Sequence, residues 1–190
     1  MEFVGILGDR GSGKTAWMTR YAIQAANSGK RVIANYRLKG IKAELMSFEE
    51  LRKIVSSKHT IHELANAHIF LDELGTGADS YEFFLKDTKA ITDWVNQVRK
   101  LENHVYYTAQ RERQIARRIR IQTDTFIALK DLDRGKLTYP DGKLAENHMD
   151  VCDGVFVVYM LNEDMEPVGK RYFNGKNYYQ YYNTKEIVWG

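Results

Sequence analysis

With 190 residues, the chain suits a single domain large enough to bury a proper core. It is 44% hydrophobic and 28% charged with two prolines, a balance that excludes a disordered polymer. One cysteine, Cys152, excludes a disulfide framework and a cysteine-based zinc site, and a net charge of +3 decides nothing until it is mapped along the chain. The longest apolar run, Val155 to Leu161, is too short for a bilayer span and no charged-then-apolar leader opens the sequence. A cytoplasmic protein with no membrane association is expected.

Residues 3 to 7 read as a short buried strand, followed by a glycine-rich turn and a helix from about Lys14 to Asn27 that Gly29 stops. Arg31 to Tyr36 reads as a second strand. Ser47 with Glu50 and Thr60 with Glu63 are capping-box pairs ahead of Leu51 and Leu64. His68 to Leu71 is a third strand. Ile91, Trp94, Val95, Val98 and Leu101 recur at helical spacing, predicting an amphipathic helix over 89–102. Val105 to Thr108 and Thr125 to Leu129 are further strands with a basic helical segment between them. This alternation implies a parallel sheet covered on both faces. Beyond about residue 130, turn signals at Arg134-Gly135, Pro140-Asp141-Gly142 and Asn174-Gly175 separate β-prone stretches at 153–161 and 168–173. The expectation is one α/β domain over 1–190, its core at about 1–130 and an antiparallel β extension over 131–190. The late tyrosines Tyr172, Tyr178, Tyr179, Tyr181 and Tyr182 do not alternate cleanly. They read as packing or subunit-contact residues, with stacking on nucleic-acid bases as the alternative.

Gly8-Asp9-Arg10-Gly11-Ser12-Gly13-Lys14-Thr15 matches G-x-x-x-x-G-K-[ST] in full, between a predicted strand and a predicted helix. Glycines there let backbone N–H groups turn inward around phosphates at the positive end of the helix. Lys14 reaches the β- and γ-phosphates and the Thr15 hydroxyl ligates Mg²⁺, so a nucleoside triphosphate, ATP, is the expected ligand. His68 to Glu73 is an apolar strand ending in adjacent acids, 58 residues after Lys14. Asp72 would hold Mg²⁺ through its water shell and Glu73 would polarise an attacking water, which favours hydrolysis over phosphate transfer to a second substrate. Gln110, at the tip of the next strand, is placed to contact the γ-phosphate, with Thr108 as the weaker alternative and a strand-to-helix cap as the plain one.

From Arg99 to Arg120 seven basic residues face Glu102 and Glu112, and five of those are arginines within ten positions. Contact with nucleic-acid phosphates, an arginine reaching a neighbouring subunit's ATP, and a solvated helix face all remain open for this segment. His59 and His62 lack a third metal ligand and read as solvated or capping residues; His104 and His148 are isolated. Cys152 reads as a small buried hydrophobe. Residues 75–86 read as a loop whose Tyr81, Phe83 and Phe84 either pack in the core or move over a substrate.

In that order Gly8 to Thr15, Leu71-Asp72-Glu73 and Thr108-Ala109-Gln110 resemble the additional-strand P-loop ATPases. The likeness is greatest to the viral and phage branch with zonula-occludens-toxin-like proteins and DNA-packaging ATPases, relatives of the FtsK and HerA translocases. It covers about residues 1–130. The resemblance implies a RecA-like core, ATP and Mg²⁺ binding, a homo-oligomeric ring and translocation of double-stranded DNA, with capsid or portal proteins as partners and a host-cytoplasmic or virion setting. Lys14, Thr15, Asp72, Glu73 and Gln110 carry over by motif position, and Arg117, Arg118 and Arg120 are the candidates for an arginine finger. The alternatives are a nucleotide or small-molecule kinase and a non-motor ATP switch or loader.

Overall fold

The structure, a computed structural model, describes residues 1–74, 88–132 and 154–183. The predicted loop at 75–86, the turn signals at 134–135 and 140–142, His148 and Cys152 lie outside them. In chain order the elements are β1 (Phe3–Leu7), α1 (Lys14–Asn27), β2 (Arg31–Ala34), β3 (Glu44–Leu45), α2 (Phe48–Val55), β4 (Ala67–Leu71) and α3 (Thr88–Gln97). Then follow β5 (His104–Ala109), α4 (Arg117–Gln122), β6 (Thr125–Asp131), β7 (Val155–Leu161) and β8 (Pro167–Asn174). Short 3₁₀ turns occupy Ile61–Leu64, Glu112–Gln114 and Gly175–Tyr181.

The strands form one eight-stranded sheet in the order β3-β2-β4-β5-β1-β6-β7-β8. From β3 to β6 the pairings are parallel; β7 and β8 add antiparallel. β1 is buried at all five positions, as a continuous apolar strand between two parallel neighbours must be. The first strand and the acid-bearing strand are not adjacent: β5 is inserted between β1 and β4, which is the additional-strand arrangement.

Two cores lie on the two faces. One packs Ala16, Trp17, Met18, Ala22 and Ala25 of α1 against Val4, Ile6, Phe70, Phe156 and Phe173. The other packs α2, α3 and α4, through Leu51, Val55, Trp94, Val95 and Ile119, against Ile69, Val105 and Tyr107. The Ser47 and Glu50 capping box is present in both directions. The Thr60 and Glu63 box is not: the Thr60 hydroxyl donates instead to Ile54 O at 2.8 Å, tying the end of α2 to a 3₁₀ turn. The helix predicted over 89–102 is shorter, Thr88–Gln97: Val98 N–H donates to Val95 O and Glu102 N–H to Arg99 O, three residues back, so the chain tightens into turns, and left-handed Glu102 (φ 54°) leads it into β5. The β7–β8 hairpin turns at 162–166, where Asn162 N–H donates to Glu166 O at 2.9 Å. Asn174-Gly175 ends β8 and starts the last 3₁₀ turn, with Asn174 Oδ1 accepting from Lys176 N–H at 3.0 Å.

Candidate nucleotide site

All parallel strands deliver their C-terminal ends to one rim of the sheet, the crevice where ligands of open α/β sheets bind. At the end of β1 the chain turns through Gly8 to Gly13 into α1. Gly13 sits at the helix N-cap with φ 83°, no side chain caps the helix, and its first turn holds no acidic residue. The positive end of α1 is therefore left for an anion from outside the helix. Two glycines are required by close approach. A Cβ on Gly8 would meet Leu129 O and Ser12 Oγ at 2.5 Å each, and one on Gly13 would meet the Phe156 ring at 2.6 Å. The Ser12 hydroxyl is buried with no partner among the described residues.

The Lys14 ammonium donates to Gly8 O and Asp9 O, both at 2.8 Å, and so holds the loop's carbonyls while lying over the cradle. Burial lowers its pKa, opposed by the charges of Asp72, Glu73 and Asp9. Beside it the Thr15 hydroxyl donates to Asp72 Oδ2 at 2.9 Å. Asp72 is braced from three sides. Its Oδ1 accepts from the Thr108 hydroxyl at 2.5 Å, its N–H donates to Asn35 Oδ1 at 2.7 Å, and its carbonyl accepts from Asn35 Nδ2 at 3.0 Å. Burial raises the Asp72 pKa, and the Thr108 and Thr15 hydroxyls work against it. Glu73 takes a left-handed conformation (φ 59°), with its N–H donated to Thr108 Oγ1 at 2.8 Å. One buried threonine thus fixes both acids relative to each other.

A cleft of about 440 Å³ opens above these groups, lined by Arg10, Lys14 and Thr15 of the loop and helix, by Asp72 and Glu73, and by the rings of Tyr36, Phe156, Tyr179 and Tyr182. The cradle, the uncapped helix and the partnerless Ser12 hydroxyl fit a polyphosphate. Thr15 Oγ1 and Asp72 Oδ2 fit a hard cation that takes oxygen ligands. Among the described residues no group of three or more His, Cys, Asp or Glu gathers; an ion held by Thr15 and Asp72 would take its other oxygens from phosphate and water.

Lys14, Thr15, Asp72 and Glu73 are thus brought together. Gln110 stands one residue past β5, partly exposed, and does not line the cleft; Thr108 is the residue of that strand end joined to the acids. The arginines lie on the other face of the sheet, where Ile115 and Ile119 anchor their segment in the core of α2 and α3. Arg120 donates to Glu112 at 2.5 Å, whereas Arg117 and Arg118 are exposed and make no ion pair among the described residues. Sequence reasoning missed Asn35, Tyr36 and the C-terminal aromatics. A polar residue closing an apolar strand was the one signal for Asn35; for the others only the long-range fold brings them in.

No protein-family profile and no curated protein sequence matches the chain. Solved structures do. The N-terminal domain of zonular occludens toxin from Neisseria meningitidis is 15% identical with a TM-score of 0.57, over 96% of this chain and all of that one. The genome packaging NTPase B204 of Sulfolobus turreted icosahedral virus 2, in complex with ATP-gammaS, is 16% identical with a TM-score of 0.53, over 90% and 96%. The ATPase domain of G40P is 13% identical with a TM-score of 0.52, over 96% and 84%. Among the described residues no helix is long and apolar enough to cross a membrane. The eight-stranded, mostly parallel sheet with β5 between β1 and β4 agrees with these likenesses: the chain has the RecA-like, additional-strand P-loop NTPase fold.

Proposed function

We propose that this chain is an ATP-hydrolysing motor that moves nucleic acid, its specific task the packaging of double-stranded viral DNA. The observation that carries the hydrolase is the contact of Thr15 with Asp72 beneath the phosphate loop, with Glu73 held next to it by Thr108. Thr15 and Asp72 would hold Mg²⁺, which, when bound, neutralises charge on the β- and γ-phosphate oxygens. Lys14 and the N–H groups that open α1 bind and orient the triphosphate. Glu73 takes a proton from the water that attacks the γ-phosphorus, in line with the leaving oxygen. No second-substrate hydroxyl is needed, which sets this reading above a kinase.

Motor action is supported by the placement of the arginines. Arg117 and Arg118 are exposed, lack ion pairs among the described residues, and stand on the face of the sheet opposite α1. In a head-to-tail ring one subunit's arginine face meets the next subunit's cleft. One of these arginines then stabilises charge developing on the neighbour's γ-phosphate, an effect worth roughly 10³ to 10⁵ in rate. Arg111 and Arg113, also exposed, suit DNA phosphates. The likeness to a protein described as a genome packaging NTPase supports the packaging role and a setting in host cytoplasm or virion.

The test is ATP hydrolysis per subunit over a range of protein concentrations, with and without double-stranded DNA. The rate should rise with assembly and with DNA. Mixing Arg117→Ala or Arg118→Ala with Glu73→Gln should restore part of the activity each lacks alone. A rate flat in both protein and DNA would contradict the motor while leaving hydrolysis intact.

A further inference from the structure

The C-terminal segment returns to the nucleotide cleft. After β8, the 3₁₀ turn Gly175–Tyr181 crosses α1 and is fastened at both ends. Gly175 N–H donates to Gly154 O at 2.8 Å on the β7 side, and Lys39 N–H donates to Tyr181 O at 2.7 Å on the β2 side. Between these anchors the strap contributes Tyr179 to the cleft wall, and Tyr182 follows directly after the second anchor.

Three of the four rings lining the cleft are sealed: Tyr36 is 4% exposed, Phe156 3% and Tyr182 8%, whereas Tyr179 keeps 36% of its surface open. Its position relative to the phosphate loop is set by one ring. Phe156 lies against both Gly13 and Gly175, and a Cβ on either glycine would strike it at 2.6 Å. Tyr179 Cε1 is in turn 3.4 Å from the Cβ position at Gly175. Tyr179 therefore stands about one ring's breadth from the loop, on its β7 side, while Asp72 and Glu73 follow β4 on the other side. A triphosphate with its γ-phosphate at the acids and its chain along Lys14 points its nucleoside toward that tyrosine. Phosphate has no use for an aromatic face; a nucleobase does.

Resting on the reading of the cleft as a triphosphate site, we infer that Tyr179 is the nucleobase platform, stacking on a purine and making the chain selective for purine over pyrimidine triphosphates. The wider purine face covers more of the ring, and stacking of a base on an aromatic side chain is worth a substantial part of nucleotide affinity.

Equilibrium binding of ATP, CTP and inorganic tripolyphosphate, each with Mg²⁺, to wild type, Tyr179→Ala and Tyr179→Phe tests this. The alanine variant should weaken ATP about 5- to 100-fold, weaken CTP less, and leave tripolyphosphate unchanged. The phenylalanine variant should bind all three as wild type does. Tyr179→Leu, which keeps bulk without the aromatic face, should repeat the alanine result and covers any disturbance of the strap. Equal loss for all three ligands would overturn the proposal, since Tyr179 would then serve only to close the cleft; so would unchanged ATP affinity in the alanine and leucine variants. Wild type that binds neither ATP nor tripolyphosphate would overturn the phosphate site itself, a distinguishable failure.

Discussion

Thr108→Val isolates the brace on the two acids. Thr108 is fully buried, so valine fills nearly the same space and removes only the hydroxyl. Two bonds go with it: the donation to Asp72 Oδ1 at 2.5 Å and the acceptance from Glu73 N–H at 2.8 Å. The first is charge-assisted, worth about 1.5–3 kcal/mol, and the second leaves a backbone donor unpaired at a cost of about 1–3 kcal/mol. A loss of about 2.5–6 kcal/mol follows, which lowers the urea midpoint by about 1–3 M. The loss should shrink as pH falls. Burial already raises the Asp72 pKa, and removing the Thr108 donor raises it further, so acid protonates Asp72 in both proteins and narrows the gap. Turnover should fall about 10- to 100-fold through misplacement of Glu73. Thr108→Ser, which keeps the hydroxyl, should lose only about 1 kcal/mol. A valine variant with wild-type midpoint and turnover would refute the brace.

Gly13→Ala places a Cβ against the buried Phe156 ring at a left-handed backbone position, and should cost about 2–4 kcal/mol in chemical denaturation and weaken ATP binding; Phe156→Leu in the same chain should recover part of the stability, and a fully stable single variant would contradict the packing described. At the opposite rim His68 stacks on His104 with ring centroids 4.4 Å apart, and burial first, then the neighbouring His104, pushes the His68 pKa down to about 4. The unfolded chain therefore binds more protons between about pH 6.5 and 4, and stability is lost as pH falls through that window, by about 1–2 kcal/mol after allowance for the ring's partial exposure. His68→Gln should flatten this acid loss in denaturation midpoints at pH 7.5 and 5; an undiminished loss would assign it to other groups.

Much of this architecture is legible in local pattern. A phosphate loop needs neighbouring residues only, and so Gly8 to Thr15 and the strand ending in Asp72 and Glu73 stand out in one dimension. Ser47 and Glu50 cap α2 as written because both partners lie within one turn. What escapes is set by register and by return of the chain. Thr108 rather than Gln110 meets Asp72 because β4 and β5 pair Leu71 with Tyr107, which puts the next residue of each strand side by side. Arg120 is engaged by Glu112, eight residues earlier, across a 3₁₀ turn that no helical spacing anticipates. Tyr172 lies on β8, whereas Tyr178, Tyr179 and Tyr181 lack strand alternation because they lie on a strap, and the approach of Tyr179 and Tyr182 to the cleft depends on where β7 and β8 join the sheet.

Hydrolysis of ATP at the Lys14, Asp72 and Glu73 site is the activity on which all of this rests. The decisive measurement is Mg²⁺-dependent phosphate release from ATP by purified wild type beside Lys14→Ala and Glu73→Gln. Wild type alone should turn over, Lys14→Ala should bind nucleotide weakly, and Glu73→Gln should retain binding with at least about a hundredfold loss of turnover. Normal turnover by Glu73→Gln would contradict it.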